Sequence, residues 1–341
     1  MKSFFHFCSI LFIITVLSYS CQSVYGQDTI KTQSSSVLET AEIKWINQWP
    51  SSKGKAKIGF KSWINNLIFG KKAVALSKPV SLLVADQDVM YILDQGNYAV
   101  LKVSKKPNEA PHIIKKKNID LTSLVGICAF RENEFLFTDS YLNKVFLYNE
   151  ENKNCTLLND SLVLSQPTGI AYSSLTKEIW VVETNEHRIS VLNEKGELIR
   201  RIGKRGTASG EFNFPTYIWI DKSGNVYIID SMNFRVQVMD KDGNVISVFG
   251  ESGDGSGTMA RPKGIATDSY GNIYVVDALF NVVQIFDING NFLYKFGSQG
   301  QGDGQFWMPS GIFIDADNNI YVADSYNSRI QVFQLTNCVK K

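Results

Sequence analysis

Phe306 to Phe333 reads FWMPSGIFIDADNNIYVADSYNSRIQVF. A Pro-x-Gly lead-in opens an apolar run, Gly311 to Ile314. A polar turn, Asp315 to Asn319, separates it from a second run, Ile320 to Val322, which ends at Asp324. After a short loop comes Arg329-Ile330-Gln331-Val332-Phe333. Three runs rich in β-branched and aromatic residues, divided by two turn-forming clusters, predict a three-stranded antiparallel meander.

The pattern recurs upstream. Pro309 is preceded by Pro262, Pro215 and Pro167 at spacings of 47, 47 and 48 residues. Fainter copies open at Pro79 (PVSLLVADQDVMYILDQGNYAVLKV) and at Leu124 (LVGICAFRENEFLFTDSYLNKVFLY), where leucine stands in for the proline. Six copies of a unit built only of short strands predict a propeller with one blade per copy. Blades three to five carry a fourth run after the meander: Glu197 to Ile202, Asn244 to Phe249, Asn291 to Phe296. The last copy stops at Gln334 without one. Two strand-like pieces, Ile43 to Trp49 and Lys57 to Phe60, precede the first repeat, and one of them is expected to supply the missing strand and cover the open edge. The expected fold is all-β: a six-bladed β-propeller of four-stranded antiparallel blades over residues 41–338, its ring closed by an N-terminal strand.

The motif Pro-x-Gly-Ile-Ala…Gly-Asn-Ile-Tyr-Val-Val-Asp…Asn-x-Arg-Ile-Gln-Val-Phe resembles the NHL repeat over about residues 76–334. The resemblance implies a six-bladed propeller and leaves function open, because this fold hosts enzymes, RNA-binding and protein-binding modules alike. Similar propellers include an amidating lyase with zinc-binding histidines and calcium-dependent lactonases. The chain has three histidines, His6, His112 and His187, none on an expected inner strand, which argues against a multi-histidine zinc site. Carboxylates and asparagines are plentiful, so calcium at the channel stays open, and no other cofactor is expected. Asp240-Lys241-Asp242-Gly243-Asn244 imitates the start of a calcium loop, but Val245 stands where that loop needs glycine, so a hairpin turn is expected instead. Gly250 to Gly257 and Gly297 to Gly304 are read as crossovers between blades, since they lack the Lys-Ser/Thr of a phosphate loop. No nucleophile elbow is present.

A carboxylate recurs at one slot of every blade: Asp94, Asp139, Glu183, Asp230, Asp277 and Asp324. Asn233 and Arg235 follow it in blade four, Asn327 and Arg329 in blade six. Such regularity is expected of architecture, with side chains bonding turn backbone. Departures from the repeat carry more about function. Tyr217 replaces the glycine of the lead-in, Trp219 and Phe313 its alanine, and Lys263 follows a leading proline; these four are candidate channel residues, either plugging the channel or meeting a ligand. The loops between second and third strands carry Tyr98, Tyr141, Leu142, Met232, Phe234, Leu279, Phe280 and Tyr326, which gather on one face as a candidate binding surface unless each tucks against its own blade.

The remaining features bear on location and partners. Residues 1–26 combine Lys2 with the mostly apolar Phe4 to Tyr19 and read as an export signal. Cys21 offers an alternative, a lipoprotein cysteine that would be the sole membrane attachment. Residues 27–40 are polar and serine-rich and read as a flexible linker. The chain is therefore expected to be exported, to the periplasm, the cell envelope or the exterior. Cys155 with Cys338 could pair, and Cys128 is expected to be a buried small apolar residue. In a chain of 341 residues with net charge +2, nothing points to nucleic acid; Lys115 to Lys117, with Lys105 and Lys106, read as a solvated edge. The expectation is a monomeric, non-catalytic scaffold for a protein or small-molecule ligand; the alternative is a metal-dependent hydrolase or lyase with its site at the channel mouth.

Overall fold

The computed structural model describes residues 29–30, 41–50, 75–85, 89–104, 111–114 and 119–337. They form six antiparallel sheets, the blades of one propeller. The innermost strands are Pro79–Val84, Leu124–Ala129, Pro167–Ser173, Pro215–Ile220, Pro262–Thr267 and Pro309–Ile314. Each pairs with the next strand across a register shift at the Pro-x-Gly lead-in. Blades one to five end on fourth strands of their own: His112–Ile114, Asn154–Leu157, Leu198–Ile202, Val245–Phe249 and Phe292–Phe296. The expected Asp-Gly turn is present, with Asp240 Oδ1 accepting the N–H groups of Asp242 and Asn244. The two glycine-rich segments are blade-to-blade crossovers, as the repeat predicts.

The second strand of each blade shows why so apolar a sequence is needed. Val226–Asp230 and Ile273–Asp277 are buried at every position. Successive side chains point to opposite faces of a strand, and in a propeller both faces meet a neighbouring blade. Ile228 therefore joins a cluster with blade three, through Trp180 and Val182, while Ile229 joins one with blade five, through Ile273 and Val275. One such apolar cluster fills each of the six interfaces between blades. At the axis, glycines let inner strands approach: a Cβ on Gly311 would stand 2.7 Å from the Val80 carbonyl oxygen, and one on Gly264 2.6 Å from that of Ser310.

The ring closes as expected. Ala41–Trp49 pairs antiparallel with Arg329–Asn337, from Ala41 opposite Asn337 to Trp49 opposite Ile330. The first of the two N-terminal pieces thus supplies the fourth strand of blade six; the second, Lys57 to Phe60, lies outside the described residues. Within the stretch read as a linker, Thr29–Ile30 pairs with Ala41 and Glu42. Ile43 and Trp45 pack on the cluster between blades five and six. Trp45 Nε1 donates to Gln331 Oε1 at 3.0 Å, and Arg329 Nη1 to Gln48 Oε1 at 2.7 Å. The closing strand therefore covers a buried polar network as well as an edge. Among the described residues no helix is long and apolar enough to cross a membrane. The export signal, Cys21, Cys338 and the lysine run 115–117 all lie outside the described residues; Cys155 is buried.

Removal of residues 1–50 is expected to abolish cooperative melting, and Trp45→Ala to cost about 2–4 kcal/mol through lost burial and the loss of one of the two hydrogen bonds that Gln331 Oε1 accepts. Thermal denaturation followed by circular dichroism checks both, and an unchanged midpoint for the truncated chain refutes closure by this strand.

Candidate functional site

The carboxylate slot settles the geometry of one face. All six acids are fully buried. Each accepts N–H groups from the segment that leads into its own blade: Ser77 and Lys78 to Asp94, Thr122 and Ser123 to Asp139, Ser165 to Glu183, Asn213 to Asp230, Ala260 and Arg261 to Asp277, Trp307 to Asp324. In blades three, four and six an arginine completes the group, Arg188 on Glu183 in the first of them. Arg329 Nε donates to Asp324 at 2.7 Å while its Nη2 reaches the carbonyls of Gly302 and Gln305; Arg235 does the same for Asp230 and the preceding crossover. Blade five has Val282 instead, and there the N–H groups of Leu279 and Phe280 join those of Ala260 and Arg261 on Asp277. Burial pushes Glu183 up, but hydrogen bonds from Arg188, Ser190 and Ser165 outweigh it and hold the carboxyl below its usual range. These acids are structural, as their regularity implied.

A second clamp joins neighbouring blades. The residue closing each loop between second and third strands is left-handed: Tyr98, Asn143, His187, Phe234, Asn281 and Ser328 have φ between 50° and 57°. Asn143 Oδ1 accepts the Gln166 N–H at 2.8 Å, and Asn281 Oδ1 the Met308 N–H at 2.7 Å. His187 fills the same role with Nδ1, accepting the Phe214 N–H at 3.0 Å, and its ring meets that of Phe214 at 4.4 Å. His187 is thus a buried joint rather than a ligand-facing group. Burial, then the charge of Arg205, lowers its pKa below the ordinary 6.5.

On this loop face opens a bowl of about 300 Å³ at the channel mouth. Its floor is Tyr217, whose ring crosses the axis so that its hydroxyl lies 2.9 Å from Ser310 Oγ and 3.3 Å from the Val80 carbonyl oxygen. Blade four thereby touches blades six and one, and Tyr217 is a plug. Lys263 and the hydroxyls of Thr216 and Ser310 line the bowl above it. Below the plug lies a chamber of about 220 Å³, lined among others by Cys128, Trp219 and Phe313. Cys128 lines this chamber and packs against the apolar cluster between blades two and three, and burial pushes its thiol well up. Trp219 meets Phe313 edge-to-face at 5.9 Å and donates Nε1–H to Thr267 at 2.9 Å. The opposite, turn face carries Asp221, Asp268 and Asp315, each bound by the asparagine four residues on and by a tyrosine hydroxyl six residues on.

The four channel candidates thus share the axis but not one compartment: Lys263 faces the bowl, Trp219 and Phe313 the chamber, and Tyr217 divides them. Of the eight loop candidates, Tyr98, Tyr141, Met232, Leu279 and Tyr326 are exposed on the loop face, between 53% and 73%. Phe280 is half-buried. Leu142 and Phe234 turn down onto the clusters between blades instead. Sequence reasoning missed Trp307, Phe214, Lys78 and Arg261, all in segments just before or at the leading proline. Trp307 is exposed and stands 5.8 Å from the Tyr326 ring. An aromatic one or two places before that proline was the available signal. Among the described residues no group of three or more histidine, cysteine, aspartate or glutamate side chains is arranged to hold a metal ion.

A family model, DUF5128, described as a 6-bladed beta-propeller, matches residues 157–236 and 266–340. No curated protein matches the chain. Among solved structures, the virginiamycin B lyase from Staphylococcus aureus is similar at 16% identity and a TM-score of 0.57, over 77% of this chain and 98% of its own. An auxiliary nutrient binding protein from Bacteroides thetaiotaomicron is similar at 13% identity and a TM-score of 0.61, over 76% of this chain and 70% of its own. Another, from Bacteroides ovatus, has 14% identity and a TM-score of 0.61, over 77% and 70%. At such identities the likeness is one of fold.

Two outcomes follow from the clamps. Asp324→Ala strands Arg329 in a buried site and is expected to cost about 3–5 kcal/mol, lowering the melting midpoint by roughly 10 °C. Neutral His187 contributes stability that is complete above pH 6.5 and is lost as pH falls from there toward its lowered pKa. His187→Asn, the residue two other blades use, keeps the bond and removes that loss. Melting midpoints should fall more steeply between pH 7.5 and 4.5 in the parent chain than in the variant; parallel profiles overturn the assignment.

Proposed function

We propose that the protein is an exported, NHL-type propeller that acts as a non-catalytic binding scaffold and takes its ligand at the bowl on the loop face. The observation that carries this reading is the rim. Tyr98, Tyr141, Met232, Leu279, Trp307 and Tyr326 are 43% to 73% exposed on loops whose backbone is locked by buried carboxylates. Large apolar side chains presented on an anchored backbone spare a ligand the cost of ordering the loops, which favours an interaction surface. The bowl has the volume of a small-molecule site, and Tyr217 gives it a floor.

Among the described residues, the recurring carboxylates and His187 are engaged elsewhere. The six slot acids hold backbone, the turn-face aspartates hold their own turns, and His187 holds Phe214. The Bacteroides neighbours named auxiliary nutrient binding proteins share the architecture, so a binding use of this fold is compatible with the frame seen here.

The test is thermal shift of the purified chain against soluble oligosaccharides and peptides, run beside the double variant Trp307→Ala, Tyr326→Ala. A ligand at about a hundred times its Kd should stabilise the parent by about 2.7 kcal/mol and the variant by far less. Equal shifts in both overturn the loop-face site. One tightly held calcium or zinc ion per chain, whose chelation lowers the midpoint, would redirect the reading to a metal-dependent hydrolase or lyase.

A further inference from the structure

The two ends of the channel carry opposite charge. The turn-face mouth is lined by Asp221, Asp268, Asp315 and Asp317, with Lys222 as its cation. The loop-face bowl is lined by Lys78, Arg261 and Lys263 and by no aspartate or glutamate among the described residues. None of the ion pairs among the described residues uses these three cations. The Lys78 ammonium lies over the Tyr326 ring at 5.9 Å. Lys263 is half-buried on an inner strand, and no hydrogen bond from its ammonium is present among the described residues.

That arrangement is costly in the free protein. A partly desolvated ammonium with no carboxylate beside it, facing two further cations, is destabilised by both burial and repulsion. Its effect is visible in Lys263, whose pKa is lowered by burial and then by the charges of Arg261 and Lys78. The acid slot shows how readily this fold places a carboxylate against a cation, as in Asp324 with Arg329. In the bowl none is placed. Beside the three cations the Thr216 hydroxyl can donate to an oxyanion while accepting from Ser231 Oγ, whereas the Ser310 proton is held by the Tyr217 hydroxyl.

We infer that the loop-face bowl is an oxyanion site: Lys263, Lys78 and Arg261 bind a carboxylate, sulfate or phosphate group of the ligand, whose body lies on Tyr326 and Trp307. The inference rests on the binding role proposed above and names the chemistry of what is bound. Lys263 supplies the deepest charge, just above the Tyr217 floor. Lys78 and Arg261, both exposed, close over the group from the rim. The Trp307 and Tyr326 rings beside them offer apolar contact to a ring or chain bearing that group.

The experiment is calorimetric titration of the full chain with inorganic phosphate, inorganic sulfate and galacturonate, with galactose as the neutral control, in a buffer without other oxyanions. At least one oxyanion should bind, its affinity falling at least tenfold in Lys263→Met and being retained in Lys263→Arg, and weakening as chloride is raised. Galacturonate binding without phosphate or sulfate assigns the site to carboxylate ligands, and the reverse pattern to inorganic or ester oxyanions. The melting midpoint of ligand-free Lys263→Met should stay level or rise, since an unpartnered buried cation is removed; a fall of several degrees would make Lys263 a structural residue and overturn the inference. Oxyanion affinity unchanged in Lys263→Met, or no oxyanion bound, also overturns it. A neutral ligand that needs Trp307 and Tyr326 but ignores Lys263 would overturn the oxyanion site alone and leave the rim's binding role intact.

Discussion

The buried carboxylate at the end of each second strand is the interaction on which this propeller depends. It sits where three chain segments meet: the strand it ends, the loop it begins, and the segment leading into its own blade. Backbone N–H groups in such a place would otherwise be buried without acceptors, at a cost of about 1–3 kcal/mol each. One carboxylate satisfies as many as four of them, as Asp139 does for Thr122, Ser123, Tyr141 and Leu142. Arg188, Arg235 and Arg329 pair with three of these acids, and the last two carry the network to crossover carbonyls. The loops are therefore tied down by buried hydrogen bonds, although they lie at the surface.

That anchoring explains how a fold made of near-identical blades can hold a specific site. Glycines at the lead-in bring inner strands close enough that the axis is narrow, and one substitution, Tyr217, is enough to divide it. Hydroxyls bond across blades at the same level: Thr184 Oγ1 donates to the Pro215 carbonyl and Ser325 Oγ to that of Pro79. What remains free on the loop face is the set of side chains that the repeat does not use. These are aromatic at the rim and basic at the mouth. On the turn face the recurring aspartates bond to asparagine and tyrosine neighbours, which keeps that mouth acidic. The channel thus has a direction, with cations at one end and carboxylates at the other.

Blade five shows how far a blade can depart from the repeat. It lacks the arginine, with Val282 in its place, and gains Lys263 beside the leading proline. Asp277 is satisfied by backbone alone, so the blade gives up one internal cation without leaving its acid unpaired. A cation then appears on the inner strand, nearer the axis, where it has no carboxylate beside it. Departures of this kind are tolerated because each blade is stabilised through two apolar interfaces and its acid slot, not through any single ion pair.

Much of this is legible in the order of the amino acids alone. The period of the lead-in prolines, the alternation within each run and the absent fourth strand of the last copy suffice for six blades and for closure by an N-terminal strand, because strand periodicity and edge coverage are local or countable properties, while the pairing itself selects Ile43 to Trp49. The structural role of the recurring acids is legible for the same reason. Only the tertiary structure decided which loop residues face solvent: Leu142 and Phe234 stand in the same loops as Tyr141 and Met232, yet the left-handed turn aims them at blade interfaces. Only it could show that Tyr217 spans the axis, that His187 is a joint, and that Lys78 of blade one meets Arg261 and Lys263 of blade five. Those residues are far apart in the chain, and their meeting follows from ring closure, which no spacing along the sequence encodes.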